Sequence, residues 1–199
     1  MKISFYPRNL FVKYEPLNKV YINRSNLINN YKYLQSLGTG VEIFPVLKSN
    51  AYGHGIKQVG KIVDELNCKY AAVDSIFEAY ELKNNGFKTP ILIIGFVDPG
   101  NLRVKKLPFS YAVWDLDTLI KINKYQPHAK LHIFVDTGMN REGIKVVELE
   151  DFIAKIKAEN TLFHYINNIE GIMSHFASAD DPDSPQTENQ VEKFNQAIK

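Results

Sequence analysis

The sequence predicts a parallel α/β fold, and three observations carry that prediction. Short apolar runs recur along the chain, at Tyr70-Ala71-Ala72-Val73, Pro90-Ile91-Leu92-Ile93-Ile94, Tyr111-Ala112-Val113-Trp114 and Lys130-Leu131-His132-Ile133-Phe134-Val135. Between them lie stretches whose apolar residues recur at helical spacing, the rhythm of strand–helix–strand units. A lysine, Lys48, stands at the end of another apolar run, just before a glycine-bounded turn into a helix. Reactive groups are presented at such strand ends in a barrel or an open α/β sheet.

Taken in order, residues 1–19 contain Pro7 and Pro16 and predict no element, so they read as an amino-terminal extension to a domain over residues 20–199. Val20-Tyr21-Ile22 is a strand candidate. Asn23 or Ser25 then caps a helix through Leu27, Ile28, Tyr31, Leu34 and Leu37, ended by Gly38. Val41-Glu42-Ile43-Phe44-Pro45 starts the buried strand that leads to Lys48, and Ile56 to Val63 is the helix after it. The strand at residues 70–73 precedes a helix from Ile76 to Asn85, and the strand at 90–94 a short helix around Asn101 to Lys106. Asp115 starts a helix through Leu119 and Ile122 after the fourth strand, and Glu148 to Lys157 follows the fifth. Ile166 to Met173, interrupted by Gly171, is the sixth strand, and Thr187 to Lys199 the last helix, with Val191, Phe194 and Ile198 on one face. Six units fit either a partial barrel or an open doubly wound sheet, and the count alone does not choose.

Composition narrows the function. Apolar residues at 45% support one sizeable core, and a net charge of +2 gives no reason to expect nucleic acid or an acidic membrane as partner. A single cysteine, Cys68, forms no internal disulfide and reads as a small buried residue. Neither a secretory leader nor a run of ~20 apolar residues is present, so the expected location is the cytoplasm.

The chemistry-bearing stretch is Lys48-Ser49-Asn50-Ala51-Tyr52-Gly53-His54-Gly55. A lysine held in a desolvated strand end can lose its proton and form a Schiff base with an aldehyde. Tyr52 and the backbone N–H groups of Gly53 to Gly55 are candidates to hold an anion such as a phosphate. The plain alternative is a strand-end lysine reaching solvent above an ordinary turn. The stretch resembles the signature around the pyridoxal-phosphate lysine of the alanine racemase family, Lys-Ala-Asn-Ala-Tyr-Gly-His-Gly, with Ser49 in place of the first alanine.

Two later segments are similar to the same family. Asp136-Thr137-Gly138-Met139-Asn140-Arg141-Glu142-Gly143 follows the fifth strand. Read from the residues, Arg141 either faces the Lys48 side with its fixed fork of donors or pairs with Asp136 to brace the loop. The segment resembles the family's Asp-Thr-Gly-Met-x-Arg-x-Gly motif, whose arginine touches the cofactor oxygen and the substrate carboxylate. The resemblance assigns those roles to Arg141, and backbone contacts near the substrate to Met139. Many members place a carbamate-bearing lysine two residues before this aspartate to orient the arginine. Phe134 stands there instead, so Arg141 needs another carboxylate or an anion.

Ser174-His175-Phe176-Ala177-Ser178-Ala179-Asp180 ends the sixth strand. No carboxylate or cysteine lies at metal-ligand spacing from His175, so no metal is expected. The stretch resembles the family's Thr-His-Phe-Ala-x-Ala-Asp, which gives His175 the role of packing against the pyridine ring. Tyr52 matches the tyrosine that contacts the cofactor phosphate. His54 is expected to support the first turn, and His128, His132 and His164 to be structural.

The resemblance runs from about Val20 to the end of the chain and implies the amino-terminal part of a (β/α)₈ barrel, about six of its units. It implies pyridoxal 5'-phosphate as cofactor, a small amino acid as substrate, and interconversion of L- and D-alanine for peptidoglycan. Lys48 is then the base on one face of Cα, and a tyrosine from a carboxy-terminal β-domain of the partner in a homodimer is the base on the other. A barrel of eight strands takes ~250 residues, so the 199-residue chain reads as a truncated and inactive fragment. The alternatives are a non-catalytic barrel that carries the cofactor, a degenerate remnant, and a racemase of another amino acid such as serine.

Overall fold

The computed structural model describes residues 20–159 and 163–199. The expected extension over residues 1–19 lies outside them, and so does the side chain of His164.

Local chemistry explains most element starts. Helix α1 (Arg24–Ser36) begins at Asn23, whose side chain accepts from the Asn26 N–H. Helix α2 (Ile56–Val63) buries Ile56, Val59 and Val63 on one face. Strand β1 (Ala71–Val73) leads into helix α3 (Ile76–Asn84) through a capping box, Ser75 and Glu78 each bonding the other's backbone N–H. Strand β2 (Ile91–Ile93) precedes the one-turn helix α4 (Pro99–Leu102), which Asp98 caps and Pro99 opens. Strand β3 (Phe109–Val113) runs to helix α5 (Leu116–Tyr125), capped by Asp115. Strand β4 (Leu131–Asp136) is followed by the two-residue strand β5 (Ile144–Lys145) and helix α6 (Leu149–Ala158). Strand β6 (Ile169–Met173) and helix α7 (Gln186–Ala197) complete the described elements.

The strand order decides between the two sheet types. β1 pairs with β2, β2 with β3, β3 with β4 and β4 with β6, every pair parallel. At the other edge Val46 bridges to Ala72 of β1, also in parallel. A doubly wound sheet needs a point where the order reverses, and this sheet has none. Each unit adds to the same side of the last, as in the wall of a barrel.

Side chains alternate across that wall. Val73, Ile93, Tyr111, Val113, Leu131 and Ile133 join the core with α2, α3, α5 and α6. The alternate positions, Ala72, Leu92, Ala112, His132 and Phe134, face the concave side. Apolar residues on both faces are what an all-parallel sheet requires.

Several expected elements differ. Val20-Tyr21-Ile22 forms no strand; Val20 and Tyr21 are 74% and 83% exposed, with no neighbour to pair with. Val41 to Phe44 forms no strand, and the expected first strand is reduced to the bridge at Val46. Its bonds to β1 are Leu47 N–H to the Ala72 carbonyl at 2.7 Å and Ala72 N–H to the Pro45 carbonyl at 2.8 Å. Pro45 has no N–H of its own, which suits an edge. The sixth strand starts at Ile169 rather than Ile166, because β4 begins at Leu131, opposite Ile169, and offers nothing earlier to pair with. Residues Phe163–Asn168 make a 3₁₀ turn instead. The helix expected around Asn101 to Lys106 sits earlier, where Asp98-Pro99 starts it. Cys68 is buried, and burial pushes its thiol pKa up, as a small core residue requires. No helix among the described residues is long and apolar enough to cross a membrane.

Candidate active site at the carboxyl ends of the strands

The residues after Lys48 do not form an ordinary turn. Ser49, Asn50, Ala51 and Tyr52 have φ of 53°, 56°, 51° and 52°, a full turn of left-handed helix built from non-glycine residues. Each such residue costs roughly 1–2 kcal/mol, so the four together cost on the order of 4–8 kcal/mol and need local compensation. The turn closes on itself through Gly53 N–H to the Ser49 carbonyl at 3.1 Å and Gly55 N–H to the Asn50 carbonyl at 2.9 Å. His54 N–H and His54 Nδ1 both meet the Ala51 carbonyl, at 3.0 and 2.9 Å, and the Asn50 side chain accepts from the Ile56 N–H at 2.9 Å. His54 therefore supports the turn, as expected. The expectation that Gly53 to Gly55 offer their N–H groups to an anion is corrected, because all three are engaged by carbonyls of the turn itself.

The strained turn leaves Lys48 at the edge of a cavity of about 540 Å³, a size suited to a small organic ligand. Tyr52, Arg141 and His175 line the same cavity, so sequence-distant motifs converge on one space with Lys48. Its floor is the concave face of the wall, with Leu92, Phe134 and Ile172 among the apolar contributors. Met139 is half-buried in its loop and is not part of that lining.

Arg141 is held in an unexpected way. Asp136 does not pair with it; its Oδ1 accepts from the N–H of Gly138 at 2.9 Å and of Asn140 at 3.0 Å, folding the loop. Gly143, at φ 112°, lies where a Cβ would come within 2.5 Å of the Asp136 nitrogen, so the loop closes too tightly for any side chain. Arg141 Nε instead donates to Glu142 Oε2 at 3.3 Å, and Glu142 lines the cavity too. Phe134, only 4% exposed, packs edge-on against Trp114 with ring centres 5.8 Å apart. The carboxylate that Phe134 cannot supply thus comes from the neighbour of Arg141 in sequence.

Charge and burial act together on the histidines. Burial, then the Arg141 and Lys48 charges, push the pKa of His175 below its usual value. A neutral, flat imidazole results at neutral pH. Burial likewise lowers His132, whose Nε2 is buried without a hydrogen-bond partner. Gly171 makes room for that ring; a Cβ there would lie 2.9 Å from its Nδ1. Both shifts have one sign. Above the ordinary value of 6.5 the histidines are neutral in folded and unfolded chains alike. As the pH falls from there through the lower folded values, the unfolded chain takes up the protons first and stability is lost. Thermal melts from about pH 8 to about pH 5 should show this decline, shallower in His132→Phe. An identical decline in the variant would remove His132 as a contributor.

Four contributors escaped the sequence. Asp74 Oδ1 lies 3.6 Å from Lys48 Nζ as its ion-pair partner. Glu142 sits at a variable position of its motif. Glu78 announced itself only as the last residue of a Ser-x-x-Glu helix start. Gln190 of α7, 2% exposed, donates to Thr137 Oγ1 at 3.0 Å and to the His175 carbonyl at 2.8 Å, and accepts from the Ala177 N–H at 2.9 Å. It ties the Arg141 loop to the His175 loop, and a buried glutamine has no sequence signature.

A barrel wall with a lysine, an arginine and a histidine converging on a cavity at its strand ends defines a class: a βα-barrel protein with an amine-bearing strand-end site. The comparisons make this specific. Residues 22–199 match the family model for the alanine racemase N-terminal domain, and the chain belongs to that family. It is 36% identical to the alanine racemase of Halothermothrix orenii over 170 residues, 81% of this chain and 43% of that protein. To the alanine racemase of Geobacter sp. strain M21 it is 34% identical over 190 residues, 90% of this chain and 49% of that protein. The solved alanine racemase of Clostridium difficile 630 superposes with a TM-score of 0.76 at 29% identity, over 88% of this chain and 48% of that one. The chain thus spans about half the length of the curated relatives that it matches.

Proposed function

We propose that this chain forms the cofactor-binding barrel part of a cytoplasmic amino-acid racemase that interconverts L- and D-alanine with pyridoxal phosphate. The observation that carries the reading is the convergence of Lys48, Tyr52, Arg141 and His175 on one cavity. The donor set fits the cofactor: an amine for its aldehyde, hydroxyl and guanidinium donors for its anionic groups, and a neutral ring for its apolar face. When bound, pyridoxal phosphate supplies an electron sink that acidifies the Cα–H of an attached amino acid.

The chain's own residues have separable tasks. Lys48 Nζ is the attachment point, and in turnover the amine that moves a proton at one face of Cα. The Tyr52 hydroxyl donates to a phosphate oxygen. Arg141, oriented by Glu142, offers its remaining donors to the phenolic oxygen and the substrate carboxylate, with the Met139 backbone alongside. His175 lies against the pyridine ring. A base on the second face is required for racemisation, and we assign it to a partner subunit in a homodimer. Residues 20–199 act as the barrel domain in this reading, with D-alanine for peptidoglycan as the product's use.

The test is to incubate the protein with pyridoxal phosphate, reduce with borohydride and map the label. In a second, unreduced sample with pyridoxal phosphate, L-alanine in D₂O is followed for α-proton exchange and D-alanine. Label on Lys48 with exchange supports the reading. Label without exchange indicates a cofactor carrier, and a folded chain with no label on Lys48 refutes it.

A further inference from the structure

Glu78 lies where β1 turns into α3, and its carboxylate serves two segments. Oε2 accepts from the backbone N–H of Asp74 at 3.0 Å and of Ser75 at 3.3 Å. The reciprocal bond, Glu78 N–H to Ser75 Oγ at 3.3 Å, makes this an ordinary helix start. Capping does not explain the remaining bond. Oε1 reaches across to accept from the Ser49 N–H at 2.6 Å, 29 residues away in sequence.

Ser49 is the first residue of the left-handed turn and follows Lys48 directly. Asp74, whose N–H Glu78 also holds, is the ion-pair partner of Lys48. One carboxylate therefore fixes the backbone on both sides of the Lys48–Asp74 pair. The first N–H of any helical turn lacks a partner within the turn, and Glu78 supplies it. Both oxygens must accept, which an ionised carboxylate does and an amide does not.

We infer that Glu78 is a positioning residue for Lys48, locking the left-handed turn so that Nζ is presented at the cavity. The functional meaning of this rests on the proposed role of Lys48; the mechanical content rests on the hydrogen bonds. Glu78→Gln replaces one acceptor oxygen by a donor amide. Ser75→Ala weakens the start of the same helix without touching Ser49, and serves as the control.

Two measurements are made on both variants and the unaltered protein: amide hydrogen exchange at Ser49 and Gly53, and borohydride trapping of pyridoxal phosphate on Lys48. In Glu78→Gln the Ser49 amide should exchange about tenfold faster, and half-maximal trapping should need about tenfold more cofactor, the scale of one lost charge-assisted hydrogen bond. Ser75→Ala should leave both unchanged after correction for global stability. Equal acceleration in the two variants would overturn the inference, leaving Glu78 a helix cap. Trapping as tight in Glu78→Gln as in the unaltered protein would overturn it while the racemase reading stands. If the unaltered protein traps no label but the Ser49 amide responds selectively, the racemase reading fails and the brace stands. Should Glu78→Gln not fold, Glu78→Asp, which keeps the charge but shortens the reach, is measured in the same way and against the same outcomes.

Discussion

Lys48→Ala should abolish borohydride-trapped attachment of pyridoxal phosphate at this position and lower alanine α-proton exchange by about 10²–10⁴-fold or more, the contribution of one positioned acid–base group. The fold should survive the change. Lys48 is a third exposed, and its described ion pair, to Asp74 at 3.6 Å, involves a carboxylate that is itself more than half exposed. Surface pairs of that kind contribute about 0–1 kcal/mol. Lys48→Arg is the sharper comparison, because it keeps a cation beside Asp74 yet has no amine that loses its proton. Both variants should melt within a few degrees of the unaltered protein and both should lack the label. A label that persists in Lys48→Ala would move the attachment point elsewhere and undo the assignment of the site.

Gln190→Ala should be the most damaging substitution to stability among the residues near the site. Truncation leaves the His175 carbonyl and the Ala177 N–H without their partner and removes one bond from Thr137. A group left unsatisfied in a buried site costs about 1–3 kcal/mol; with the Thr137 bond buried and the other two part-buried, a loss of about 3 kcal/mol in all is expected. At roughly 2–4 °C per kcal/mol for a chain of this size, the melting temperature should fall by about 6–12 °C. Gln190→Met keeps the volume and strands the same polar groups, so it should lose nearly as much. A fall of less than about 2 °C in both would mean that water replaces these bonds, and that α7 does not clamp the two loops.

The match between sequence and structure follows the range of the forces involved. Helices α1, α3 and α5 begin beside Asn23, Ser75 and Asp115 because capping is settled by residues three apart, which a linear reading contains. Lys48, Arg141 and His175, which line one cavity, were legible because each stands in a short contiguous motif that follows an apolar run. Pairing of a strand, by contrast, depends on what lies beside it. Val20-Tyr21-Ile22 has strand-forming residues and no partner, and Ile166 to Asn168 run past the point where β4 begins.

The turn after Lys48 shows the same limit more sharply. Four non-glycine residues in the left-handed region defy local preference, and they persist because Glu78, His54 and Asn50 bond them from outside or across the turn. The engaged N–H groups of Gly53 to Gly55 follow from that conformation, and no spacing rule could have foretold it.

What the sequence by itself determined is the alternation of strand and helix, the family to which its motifs point, and the motif residues Lys48, Tyr52, Arg141 and His175 that line the cavity. Those rest on periodicity and on short contiguous strings. Tertiary structure alone decided the pairing of Arg141 with Glu142 above a buried Phe134, and the hold of Glu78 and Gln190 on the site loops. These are contacts between segments far apart in the chain, or choices among neighbours that only packing resolves. Their energies depend on burial and direction, which a linear order of residues does not contain.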